Sequence, residues 1–244
     1  MDSNRPLMKR VFVGLLMVSA VCVLAHAQEL EMPSESGMTW WQIIRSGGVI
    51  MVILGVLSIF AMALIITFFL TLRPTREMPQ TLVLRAKSLI EGGDVRACWQ
   101  LCQEREELLA KILRAGLQAA GKDRFVVIEA MQSEGARLTA GLSQRVSYLW
   151  NVATIAPLLG ILGTVLGMIQ AFNGIAFASG SVKPIVLAGG ISQALVTTAA
   201  GLVIAIPVMG FYFFFRGRVN KIAAALEGVS SQFIEPIAAA KGKP

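Results

Sequence analysis

Ser192, Gln193, Thr197 and Thr198 lie in GGISQALVTTAAGLVIAIP, residues 189–207, a stretch without a charged residue. Hydroxyls and amides in hydrocarbon can do two things. They can bond a neighbouring helix, at about 0.6 to 2 kcal/mol each, or they can offer donors and acceptors to an ion, to water or to a partner's charged group. Acid–base or nucleophilic chemistry is not expected. The sole histidine, His26, sits near the N-terminus, and no Cys-His, metal-ligand or phosphate-loop constellation occurs. Cys98 and Cys102 share one helix face, but two thiols without a second pair or a histidine make a poor zinc site, so a buried helix face is expected there. The sequence therefore points away from an enzyme, a metal centre or a cofactor.

On a helical wheel at about 100° per residue the polar residues are sorted. Gly190, Gln193, Ala194, Thr197, Thr198, Gly201 and Ala205 share an arc, with Ile191, Leu195, Val203 and Ile206 opposite. Ser192 alone falls on the bulky side, where its hydroxyl can bond back to its own helix. The preceding apolar run, APLLGILGTVLGMIQAF, divides the same way: Ala156, Gly160, Gly163, Thr164, Gly167 and Ala171 lie on one side, and a Leu, Val and Ile face lies on the other. Ala153, Gly160, Gly167 and Gly174 recur every seven residues. In lipid a bulky face gains nothing special by turning inward, whereas small residues let backbones approach. Gly160, Gly163, Gly167, Gly174, Gly190, Ala194 and Gly201 are therefore the expected packing residues, and Pro157 and Pro207 the expected kinks. With Ser181 as the outer turn, Thr164 and Thr198 each stand 17 residues away, which predicts one polar tier near mid-membrane. The same counting predicts a Gln170/Gln193 tier and a Pro157/Pro207 tier.

The elements that must hold these residues are all helical. Of the 244 residues 55% are hydrophobic and 15% charged, too apolar for an ordinary soluble domain. Residues 1–27 have the layout of a signal peptide: a basic start, an apolar run containing Cys22, and small residues before a cleavage site after Ala27. Residues 28–46 read as a short periplasmic lead-in ending near Trp40 and Trp41. Residues 47–72 carry no charge over 26 positions and form the first span, mostly lipid-facing. Residues 73–148 hold 12 of the 22 basic and 9 of the 15 acidic residues and read as a cytosolic helical domain, in which Asp94 of the EGGD turn caps a helix. A hairpin of spans follows, 149–177 and 185–215, joined by a periplasmic turn at 178–184, with a cytosolic tail at 216–244. The fold class is thus an all-α membrane protein with three transmembrane helices after signal removal.

Charge fits that topology. The net +7 is spread over loops without interleaved aromatics, which argues against nucleic acid and for positive-inside orientation. Segment 28–46 is net −2, while 73–148 and 216–244 are each net +3. The mature N-terminus is expected outside and the C-terminus in the cytosol.

The two hairpin motifs, preceded by GD…A…C…LLAKILRAGLQAAG, resemble the MotA/TolQ/ExbB proton-channel family, closest to its ExbB and TolQ branch. The resemblance implies an inner-membrane subunit of a homo-oligomeric ring, pentameric in the family. The ring surrounds an ExbD- or TolR-like single-span partner with an intramembrane aspartate. It implies proton flow coupled to a TonB- or TolA-like transducer, and it places the family's pore threonines on Thr164 and Thr198, with Thr197 and Gln193 on the same face. One departure stands out: ExbB and TolQ proteins often carry glutamate where this chain has Gln193. A glutamine cannot relay a proton as an acid, which keeps open a non-conducting scaffold for a partner helix. A MotA-like flagellar stator is a further alternative, and it would need an uncleaved first segment to reach four spans.

Overall fold

The computed structural model describes residues 48–72, 77–176 and 184–240. The expected signal segment, the lead-in and the turn around Ser181 lie outside the described residues. The elements among them are all helices: α1 Gly48–Thr71, α2 Gln80–Glu91, α3 Val95–Gln103, α4 Leu108–Gln118, α5 Arg124–Ala176 and α6 Pro184–Ala239. Three helices, α1, α5 and α6, are long and apolar enough to cross a membrane.

Helix α5 has 53 residues and α6 has 56. At about 1.5 Å per residue each is roughly 80 Å long, far more than the ~30 Å of a bilayer core requires. The boundaries expected at 148/149 and 215/216 therefore fall inside unbroken helices. Hydropathy changes there because the helix leaves lipid, and the backbone continues. Pro157, Pro207 and Pro236 sit within these helices without ending them. Helix α6 begins at Pro184, where a missing N–H costs nothing.

Outside the spans, α2, α3 and α4 pack on the N-terminal end of α5 and the C-terminal end of α6. One core joins Leu82, Leu109, Leu113 and Leu117 to Val127 and Met131 of α5 and to Ile222, Phe233 and Ile237 of α6. The sequence marks the local turns. Gly93 adopts φ 79°, and Asp94 then caps α3 by accepting from the Ala97 amide at 3.0 Å. Gly121, at φ 76°, turns the chain toward α5, where the Asp123 carboxylate accepts from the Phe125 amide at 2.8 Å. The stretch from Val95 to Gln118 forms two helices, broken at Glu104–Glu107. The break lets Cys98 and Cys102 of α3 and Leu109 and Leu113 of α4 reach the same core. Among the described residues no group of three or more metal-ligating side chains forms.

Helix α1 packs along one edge of the hairpin. Ile50 and Leu54 meet Ala156 and Ala205, and Ala61, Ile65, Phe68 and Leu72 meet Leu149, Val152, Val208 and Phe215. Most of its other side chains, Val52, Val56, Ile59 and Ile66 among them, are exposed. A mostly lipid-facing first span, as its composition predicts, would present these side chains to lipid.

The hairpin seam as candidate functional site

The small faces of α5 and α6 pack on each other, and the seam is too tight for a side chain at most of its glycines. A Cβ on Gly160 would lie 2.9 Å from Thr198 Cα, one on Gly167 2.8 Å from Ala194 Cβ, one on Gly190 2.6 Å from Ala171 Cβ, and one on Gly201 2.6 Å from the Ala156 carbonyl oxygen. A Cβ on Gly163 would collide with the Thr197 side chain. Gly160, Gly163, Gly167, Gly190, Ala194 and Gly201 all lie in this seam. Gly174 does not: it is exposed and its missing Cβ would meet nothing. A seven-residue repeat drifts about 20° per heptad on a straight helix, so the stripe begun at Ala153 has left the seam by Gly174.

At the centre of the seam two hydroxyls converge on one carbonyl. Thr198 Oγ1 donates to the Gly160 oxygen at 3.0 Å. Thr197 Oγ1 lies 3.3 Å from that same oxygen and 2.7 Å from the Ala194 oxygen. Gly160 makes this possible, because with no side chain its backbone is open to the facing helix. Thr197 is 2% exposed and Thr198 half-buried. A buried hydroxyl here needs a partner, since an unpartnered one in an apolar interior costs on the order of 1–3 kcal/mol.

The structure alters the expected tiers. Thr198 faces Gly160 and Thr197 faces Gly163, so Thr197 rather than Thr198 is nearest the level of Thr164. The seam mirrors about a point roughly one residue before Ser181, and each residue of offset is counted twice across a hairpin. Thr164 turns away from the seam: it is half-buried and its hydroxyl donates to Ile161 O of its own helix at 2.6 Å. Gln170 is exposed beside Ala171, which faces Gly190, while half-buried Gln193 lies nearer the level of Gly167. The glutamine tier is not formed. Pro157, adjacent to Ala156, is likewise about two turns from the level of Pro207, because Ala156 faces Gly201. Ser192 is exposed as expected, but among the described residues its hydroxyl makes no bond back to its helix.

Sequence reasoning missed the junction where the three spans leave the apolar layer. Phe69 of α1 stacks edge-on with Phe215 at 5.0 Å, Trp150 lies 5.3 Å from Tyr212, and Arg218 sits 4.9 Å over the Phe214 ring. The FYFFF run, Phe211–Phe215, forms an aromatic belt at this edge; its partner doublet, Phe68 and Phe69, was the available signal for the docking of α1.

A lipid-spanning helical hairpin with a polar node at its seam, rooted in a helical domain outside the membrane, defines a three-span membrane protein whose polar chemistry lies between helices. The model of the MotA/TolQ/ExbB proton channel family matches residues 104–228, and the chain belongs to that family. Relatives named ExbB and TolQ place it on the ExbB/TolQ branch. The putative biopolymer transport protein ExbB-like 3 of Synechocystis sp. is 32% identical over 195 residues, 77% of this chain and 90% of that one. Biopolymer transport protein exbB1 of Vibrio cholerae is 55% identical over 58 residues, 24% of this chain and 25% of its own. A putative ExbB homolog of Methanothermobacter thermautotrophicus is 29% identical over 185 residues, 73% and 63% of the two chains. The match thus spans a quarter of one and less than two thirds of the other of these last two relatives.

Proposed function

We propose that this chain is an ExbB/TolQ-like subunit of the bacterial inner membrane that couples proton flow down the proton motive force to work on a periplasm-spanning transducer. On the family pattern, copies of the chain form a ring, a pentamer, around the membrane helix of an ExbD- or TolR-like partner. A TonB- or TolA-like protein receives the movement, for use in outer-membrane transport. The driving force is about 2.3 kcal/mol per charge per 100 mV. In this reading the helical domain of α2–α4 and the C-terminus are cytosolic, which the net +3 on each of segments 73–148 and 216–244 supports.

The observation that carries the reading is the Thr197/Thr198/Gly160 node inside the family-matched region, in spans with no Asp, Glu, His, Lys or Arg of their own. Hydroxyls held at a carbonyl can pass a hydrogen bond to water or to a partner's carboxylate, but they cannot hold the charge. The partner's intramembrane aspartate must do so, because Gln193 cannot ionise. The test is a proton-flux measurement on the complex in liposomes under an imposed potential. A current lost when the partner's aspartate is changed to asparagine supports the proposal.

A second reading, a non-conducting scaffold for a partner helix, is favoured by Gln193 and by the saturation of the Thr197 hydroxyl within its own subunit. Absence of any proton current from an intact, partner-bound complex would establish it instead.

A further inference from the structure

Between α5 and α6, just beyond the aromatic belt, lies a groove of about 410 Å³ lined by Ser143, Gln144, Ser147, Tyr212, Arg216 and Asn220 over a floor of Val146 and Val219. Its depth is fixed by the belt. Ser147 and Ser143 are three and seven residues from Trp150, and Arg216 and Asn220 are four and eight from Tyr212. At about 1.5 Å per residue the groove occupies roughly 5–12 Å beyond the apolar edge, the depth of a headgroup layer.

The chemistry of the groove is one-sided. Arg216 Nη1 lies 3.4 Å from Tyr212 Oη, which leans the guanidinium toward the membrane and leaves its other N–H groups for a ligand. The Ser147 hydroxyl is committed to Gln144 O at 2.7 Å, while the amides of Gln144 and Asn220 and the Ser143 hydroxyl add neutral donors. No carboxylate lines it. A second groove at the same junction, of about 670 Å³, is lined by Glu77, Glu104, Glu106 and Glu107 with Arg105 and Arg145. That one would repel an anion.

We infer that the Arg216 groove holds the headgroup phosphate of an anionic phospholipid, with its acyl chains against the exposed rings of Trp150 and Phe213. The absence of a carboxylate in its lining selects against an ethanolamine or choline headgroup, whose cation would find no counter-charge there. This inference is independent of the ion pathway and requires only that the three spans cross the membrane.

The test uses the full-length protein, purified in detergent and delipidated, then supplied with phosphatidylglycerol, phosphatidylethanolamine or inorganic phosphate and read by native mass spectrometry. Phosphatidylglycerol should be retained over phosphatidylethanolamine, inorganic phosphate should not displace it, and Arg216→Gln should reduce retention about tenfold, the loss of one charge-assisted contact. Arg145→Gln, in the acidic groove, should leave it unchanged. Should Arg216→Gln fail to fold, Asn220→Leu, which fills the groove and keeps the charge, should lower retention in its place. Equal retention of both lipids, displacement by inorganic phosphate, or equal losses in the Arg216 and Arg145 variants would overturn the assignment.

Discussion

Arg218 Nη1 donates to the Leu72 carbonyl oxygen at 3.1 Å, across 146 residues of sequence. The carbonyls at a helix end lack intrahelical partners and carry partial negative charge. A basic residue on the last span thus closes the C-terminal end of the first, while its guanidinium stacks over Phe214 and Phe69. The contact ties α1, which otherwise presents mainly apolar surface, to the hairpin at the membrane edge.

Arg218→Gln should therefore loosen α1. A charge-assisted hydrogen bond and a partly exposed cation–π contact together are worth about 1–2 kcal/mol, which is an apparent melting temperature lower by ~2–8 °C for a chain of this size. Arg218→Lys should recover only part of it, since an ammonium cannot stack as a guanidinium does. Thermal unfolding of the purified protein in detergent measures both.

The seam glycines make a paired prediction. Gly201→Ala would place a methyl group 2.6 Å from the Ala156 oxygen, a backbone atom that cannot rotate aside. Overpacking of this kind costs about 1–3 kcal/mol. Gly174→Ala meets open space and should be neutral or slightly stabilising. Equal loss of folded protein in the two variants, compared by size-exclusion chromatography after heating, would contradict the seam.

The threonines should separate by role. Thr197→Val removes a buried hydroxyl bonded across the hairpin and should lower stability by ~0.6–2 kcal/mol, with Thr197→Ser restoring it. Thr164→Val touches only its own helix, where the hydroxyl bonds Ile161 O. It should leave the melting temperature nearly unchanged, so any fall in proton-dependent output of the assembled complex reports on the pathway. Thr198→Val should affect both, because its hydroxyl is bonded yet half-exposed.

How far the sequence revealed these relationships depends on what each residue's surroundings reward. The pairing of Gly160, Gly167 and Gly201 with the facing helix was legible because lipid offers no reward for burying leucine, leaving small residues as the packing signal. Asp94 was legible because a cap is a local matter of three residues. Register was not. Counting outward from Ser181 assumes where a turn closes, and at Thr198 an offset of two residues, doubled across the hairpin, moves the facing position from Thr164 to Gly160. Nor could hydropathy show that α5 and α6 run on past Tyr148 and Phe215, because an apolar edge marks where lipid ends and says nothing of where backbone hydrogen bonding stops. The Arg218–Leu72 contact had no local signature at all.

Cys98 and Cys102 supply the last prediction. Both are fully buried in the core outside the membrane, one turn apart on α3. The hydrogen bond to Cys102 and burial push the Cys98 thiol well above its ordinary range, while that same bond lowers Cys102. A thiolate is the reactive form, and the pair titrates as a unit, but neither sulfur is open to reagent. In a Cys22→Ser background, which removes the only other cysteine, the folded protein should resist maleimide at pH 8 and label at both positions once denatured. The labelling rate should follow the opening of the helical domain, and Leu113→Ala, which leaves a cavity costing about 2–5 kcal/mol, should raise it by an order of magnitude or more. Rapid labelling of the intact wild-type fold would show the pair to be exposed, and would return it to consideration as a reactive site.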